Sequence, residues 1–140
     1  MQRRMALWLT LCLSLAVTIA LPQTHAQILS ETETFSTIDF PGATETDAND
    51  ISNNGTIVGF YVDTLGVDHG FSLVGGSFTT IDAPNSSGTL AYGINDNGDI
   101  VGWYVDQNSG VTHGFELQGT TFTTIDPQGS IFTNCWSINK

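Results

Sequence analysis

Between residues 35 and 139 the apolar side chains come in short runs broken by Gly, Pro, Asn and Asp. One of them, Ile100-Val101-Gly102-Trp103-Tyr104-Val105, contains no polar break at all. As a strand it places Val101, Trp103 and Val105 on one face and Ile100, Gly102 and Tyr104 on the other. A sheet with one wet side alternates apolar and polar positions, so this strand is expected to lie between two covering layers. The run 57–62 reads the same way. Thr, Gly, Asn and β-branched residues are frequent and no 3.6-residue period is sustained, which disfavours helix and points to an all-β chain.

The pattern repeats. Phe35-Ser36-Thr37-Ile38-Asp39 returns as Phe78-Thr79-Thr80-Ile81-Asp82 and as Phe122-Thr123-Thr124-Ile125-Asp126, at spacings of 43 and 44 residues. Residues 35–63 and 78–106 share 16 identities in 29 ungapped positions, where unrelated segments share roughly one or two. The single-residue slip falls between Asp63 and His69 in one copy and between Asp106 and His113 in the next. An insertion there marks a surface loop between two strands.

Each unit holds four short strands on this reading. The first is Phe-x-Thr-Ile-Asp, stopped by Pro41 or Pro84 because proline removes a ladder donor. The second surrounds Ile51 or Ile94 and turns at Asn53-Asn54-Gly55 or Asp96-Asn97-Gly98, where Asn-Gly supplies the positive φ angles of a tight hairpin. The third is 57–62 or 100–105. The fourth is His69-Gly70-Phe71-Ser72-Leu73 or His113-Gly114-Phe115-Glu116-Leu117. Units of ~40 to 45 residues whose strands are apolar on both faces suit propeller blades. The expected architecture is therefore propeller-like tandem four-stranded blades: repeat 1 over 35–77, repeat 2 over 78–121, and a partial repeat 3 over 122–140.

These linked motifs resemble the bacterial extracellular repeat family named HAF after its His-Ala-Phe signature. His69-Gly70-Phe71 and His113-Gly114-Phe115 stand in that place with Gly for Ala, and the likeness covers residues 35–140. The resemblance implies an exported, propeller-like bacterial protein and brings no established activity with it.

Export is also legible at the N-terminus. Arg3 and Arg4 precede an apolar run over 5–21, and Pro22 breaks it before Thr24-His25-Ala26, the order of a secretory signal. That run of 17 residues includes Thr10, Ser14 and Thr18, short and polar beside the ~20 apolar residues of a membrane span. Residues 1–26 are thus expected to be cleaved, with 27–34 a linker and the product secreted to the periplasm or beyond. Cleavage leaves Lys140 against fourteen carboxylates, a net charge of about −13. Affinity for nucleic acid rests on Lys and Arg that the chain lacks, and anionic membranes are disfavoured for the same reason. Cys135 becomes the single thiol, so no internal disulfide forms. It aligns with Ala48 and Ala91 and is expected to be buried as a small hydrophobe.

Candidate chemistry is sparse. Asn95-Asp96-Asn97-Gly98-Asp99 has the alternating oxygens of a calcium loop, but no bidentate acid follows at the needed distance. A hairpin turn is the better reading, and no cofactor is expected, calcium being the weak exception. His69 and His113 recur once per unit, and ligands a blade apart do not converge on a metal, so each is expected to hold a neighbouring loop by a hydrogen bond. Asp39, Asp82 and Asp126 recur with like surroundings, whereas glycoside hydrolysis needs two carboxylates in unlike ones; capping of turns and strand ends is expected. Trp103 and Trp136 replace Phe60 and Tyr92 and are expected in the core. No catalytic, cofactor or metal site follows from these residues.

The third copy stops at Asn139-Lys140, before a hairpin and two further strands. Closed propellers usually have four to eight blades, so either a truncated array or a ring assembled from several copies is expected. The functional expectation is a secreted, non-catalytic binding or structural module with an extracellular partner. Alternatives are a lectin-like protein that binds a glycan and completes a propeller as a homo-oligomer, and a fragment of a secreted hydrolase.

Overall fold

The structure is a computed structural model that describes residues 33–139. The expected signal peptide, 1–26, lies outside them, as does most of the 27–34 linker. The chain divides into Met1–Thr34 and Phe35–Lys140, and every strand among the described residues belongs to the second unit. Two four-stranded antiparallel sheets form there, and no helix occurs among the described residues. The first sheet is β1 (Glu45–Ile51), β2 (Ile57–Val62), β3 (Asp68–Val74) and β4 (Ser77–Ile81), in that order. The second is β5 (Ser86–Ile94), β6 (Ile100–Asp106), β7 (Thr112–Gln118) and β8 (Thr121–Ile125).

The sheets are out of phase with the sequence repeat by one strand. Phe78–Ile81 does not open the second sheet; it closes the first, with Leu73 opposite Phe78 and Phe71 opposite Thr80. Turn chemistry explains the offset. Gly75 and Gly76, both at positive φ, link Val74 to Ser77 as the two-residue turn whose twist matches its flanking strands. Gly119 at positive φ followed by Thr120 does the same between β7 and β8. Beyond Ile81 the chain turns at Ala83–Ser86, where Pro84 sits at the second position and Asn85 takes φ 57°. It leaves the sheet there and starts another. Residues 35–39, the first copy of the motif, have no strand before them among the described residues to pair with, and they form no strand.

The two turns at Asn-Gly also differ from expectation. Only Gly55 and Gly98 take positive φ, while Asn54 and Asn97 do not. Gly55 donates to the Ser52 carbonyl at 2.9 Å and Ser52 donates to the Thr56 carbonyl at 3.0 Å. This is a three-residue loop, a turn followed by one left-handed glycine, rather than a two-residue hairpin. The one-residue insertion falls in the loop between β6 and β7, matching its expected place.

Residues opposite each other in a ladder share a face, so Ala91, Ile94, Ile100, Gly102, Phe115 and Leu117 lie on one face of the second sheet. That face meets Val58 and Ile81 of the first sheet in one core cluster. β5 touches all four strands of the first sheet. Glycine permits the approach: a methyl group on Gly70 would lie 3.0 Å from the Ile81 carbonyl oxygen and 3.5 Å from the Ala91 nitrogen. Asn49, the bulged residue of β1, donates to the Ala91 carbonyl at 2.9 Å, and Asp50 accepts from the Ile94 N–H at 2.9 Å.

The same arrangement recurs on the outer faces. Phe40 stacks on Tyr61 at 3.6 Å and leans on Phe71 and Phe78, and Ile38 lines a groove with Ala48, Ile51 and Ile57. At the other end, residues 131–139 lie on the far face of the second sheet. A methyl on Gly114 would meet the Cys135 Sγ at 2.8 Å, as one on Gly70 would meet Ala91. Cys135 is accordingly half-buried. Trp103 is half-buried with its indole N–H enclosed, but Trp136, expected in the core, is 62% exposed. It edges onto Tyr92 at 4.5 Å with no further layer over it.

Candidate functional site

The residues that recur in sequence assemble into one recurring cluster at the same end of each sheet. His69, near the start of β3, is followed 13 residues later by Asp82, just past the end of β4. Because β3 and β4 are joined by a tight turn, that spacing returns the aspartate to the histidine's side. His69 Nδ1 lies 2.9 Å from Asp82 Oδ1, and His113 Nδ1 lies 2.5 Å from Asp126 Oδ2 across the same 13 residues. Tyr61, opposite His69 in the ladder, stacks on its ring at 5.0 Å and reaches Thr80 Oγ1 through its hydroxyl at 3.1 Å. Tyr104 repeats both contacts with His113, at 5.3 Å, and Thr124, at 3.0 Å.

A second carboxylate stands behind the first His. Asp63 Oδ2 is 3.6 Å from His69 Nε2. Its Oδ1 accepts from the Leu65 and Val67 N–H groups at 2.8 and 2.9 Å. The Val67 N–H bond is the main reason its carboxyl titrates below the ordinary range, with Leu65 and His69 adding to it. Asp106 is held low in the same way by the Ser109 N–H and hydroxyl and by the Asn108 N–H. The two loops differ by one residue, yet each closes on its own aspartate.

The expected hydrogen-bonding role of His69 and His113 is thus met, but the partner is the aspartate read as a turn cap. Asp39 is exposed, and no His-bearing strand precedes it among the described residues. The 13-residue interval, constant across both copies despite the loop insertion between other landmarks, was the signal available in the sequence.

The Asn95 loop spends its oxygens internally. Asn95 Oδ1 accepts from the Asn97 and Asp99 N–H groups, each at 2.9 Å, and Asp99 Oδ2 accepts from Asn95 Nδ2 at 2.9 Å. Asp96 reaches across to the other sheet's turn, accepting from the Asn53 N–H at 3.0 Å and side-chain amide at 2.6 Å. No group of three His, Cys, Asp or Glu side chains able to hold a metal occurs among the described residues. Burial raises the Cys135 thiol above its ordinary range, and Asp126 and Glu116 push it the same way, which keeps it protonated and a weak nucleophile at neutral pH.

A crevice not anticipated from sequence opens where the two sheets meet. About 280 Å³ in volume, it is lined by His69 and Asp82 together with Asp68, Asn85, Ser87 and Gln107, among others. Gly88 also lines it, and a methyl there would have nothing closer than Asp68 at 3.7 Å. At the corresponding place on the second sheet, Thr112 and Phe132 replace Asp68 and Gly88 and are bridged to each other. No family model, curated protein or solved structure matches the chain.

Proposed function

We propose that the protein is a secreted, non-catalytic β-repeat module of the HAF type, its sheets arranged as propeller-like blades that present loops to a partner outside the cytoplasm. The observation that carries this reading is the recurrence of one closed cluster: His, Asp, Tyr and Thr meet in the same way in both sheets. Acid–base catalysis separates the environments of its groups, and here the His–Asp pair is copied with its Tyr and Thr neighbours. Groups that bind each other twice over hold strands together. The signal-like N-terminus and the scarcity of basic residues support export and a neutral or cationic partner over nucleic acid.

N-terminal sequencing of the exported protein is expected to begin at Gln27, and purified protein is expected to leave chromogenic glycosides and esters unhydrolysed. Retention of the full chain in the cytoplasm, or turnover that disappears with His69→Ala, would overturn the reading.

The crevice favours a second reading, a lectin-like one. Its lining offers carboxylate acceptors, amide and hydroxyl donors and the His69 imidazole, with no Lys or Arg, a set suited to a neutral saccharide. Its volume lies just under the ~300 Å³ at which small-molecule pockets begin, enough for one sugar unit. A neutral glycan array probed with the protein and with Gln107→Ala tests it: binding lost in the variant supports a glycan ligand, and no binding by either excludes one.

A further inference from the structure

The repeat leaves the two outer faces of the sheet pair unlike each other but matched. The first sheet's outer face presents Ala48, Ile51 and Ile57, counterparts of the Ala91, Ile94 and Ile100 that are buried between the sheets. Ile51 is 61% exposed where Ile94 is 6% exposed. The second sheet's outer face carries Ile125, 38% exposed, where its counterpart Ile81 is 6% exposed. Each outer face therefore has, at the contact between the two sheets, a working example of what covers it: the other outer face.

The cover supplied by the chain itself is thin. Ile38 and Phe40 near one end and residues 133–137 near the other lie against these faces without joining a named strand, while Phe35, Ile131 and Phe132 stay exposed. The backbone of 131–139 meets the sheet through the Thr133 N–H, which donates to the Thr112 carbonyl at 3.1 Å, and through the Thr112–Phe132 bridge. Trp103 Nε1 on β6 and Asn134 Oδ1 within the segment are buried with no protein partner, a costly arrangement. A laddered strand such as β1, backed by β2, would cover the face more completely.

We propose that the protein self-associates head to tail, the second sheet's outer face of one copy packing on the first sheet's outer face of the next in the geometry by which the two sheets meet within one chain. Residues 122–139 repeat 35–52, so the end segments occupy the sites that a neighbour's β8 and β1 would take. Association displaces 35–39 and 131–139. The contact is heterologous, so it builds a ring where the rotation closes and a filament where it does not.

Three substitutions make this contact weaker than the internal one. Glu116 stands on the outer face where Ser72 stands on the inner, and Tyr92 and Gly93 replace Asn49 and Asp50, whose side chains tie β1 to β5. The acidic net charge opposes association as well, and added salt screens it.

Sedimentation over a wide concentration range, in low and high salt, tests the proposal. Reversible self-association that strengthens with salt is expected. Ile51→Asp and Ile125→Asp should each weaken it about tenfold or more. Mixed in equal amounts, these two variants should form one-to-one pairs and nothing larger, because each retains one intact face. Glu116→Ser should tighten reversible association several-fold while keeping the parent's circular dichroism and melting temperature, which separates it from aggregation of a misfolded chain. A strictly monomeric protein, oligomers indifferent to both aspartate variants, or variants that fail to pair while keeping the parent's circular dichroism and melting temperature would overturn it.

Discussion

At the scale of single residues, the fold depends on where side chains are absent and where short polar ones close loops. A methyl on Gly102 would sit 2.0 Å from the Leu90 carbonyl oxygen and 2.9 Å from the Phe115 ring. Gly102→Ala is therefore expected to cost at least the ~1–3 kcal/mol of ordinary overpacking. Gly88→Ala, with its nearest neighbour at 3.7 Å, should be neutral or gain up to ~1 kcal/mol from a stiffer unfolded chain; urea unfolding of both separates the cases. The loop aspartates set an acid limit. Asp63 and Asp106 have carboxyls lowered by the N–H groups they accept from. Their contribution is complete above the ordinary carboxyl value and is lost as pH falls through it toward the lowered one. Asp106→Asn should flatten the fall of the urea midpoint across that range. Cys135, its thiol raised by burial, should react with iodoacetamide at neutral pH more slowly than a free cysteine and reach the free rate on unfolding.

At the scale of strands, equivalent residues have unequal weight because one sheet covers only one of them. Ile81 and Ile125 end β4 and β8 in the same sequence, yet only Ile81 lies in the core between the sheets. Ile81→Ala is expected to cost ~2–5 kcal/mol and Ile125→Ala well under half as much, measured by the shift in urea midpoint. Much of this was legible beforehand. The two-faced apolar run at 100–105 announced a strand covered on both sides, and Ile100 and Tyr104 are indeed buried and half-buried. The loop insertion lay where spacing put it. What escaped was the phase of the sheets, because a repeat read from its most recognisable motif has an arbitrary starting point. Gly75-Gly76 and Gly119-Thr120 carried that information, since each joins its flanking strands as a hairpin turn. The His–Asp pairing escaped for the same reason, since its partners belong to different sequence copies. The crevice was beyond reach because it forms between two sheets, and Asp68, Asn85 and Gln107, which line it beside the recurring His69 and Asp82, have no like counterparts in the other repeats. Trp136 was misplaced because burial depends on a covering layer, and a position in a repeat does not reveal whether one is there.

At the scale of the whole molecule, each sheet draws strands from two successive repeats, which ties every repeat to the next by hydrogen bonds as well as by packing. Such coupling makes neighbouring units support each other, as in other repeat arrays. A disruption in the second repeat's Phe-Thr-Thr-Ile-Asp motif should thus loosen the first sheet, and Ile81→Ala should lower amide protection in β3 as well as β4. The direct measurement of the interleaving is a set of cross-strand nuclear Overhauser contacts on labelled protein. Backbone contacts joining Phe71 to Thr80 and Phe115 to Thr124, with no backbone ladder contacts from 35–39 and only side-chain contacts from Ile38 to β1 and β2, are the expected result. Contacts laddering residues 35–39 onto β1, and 78–81 onto β5, would mean that each repeat folds its own sheet and would contradict the account.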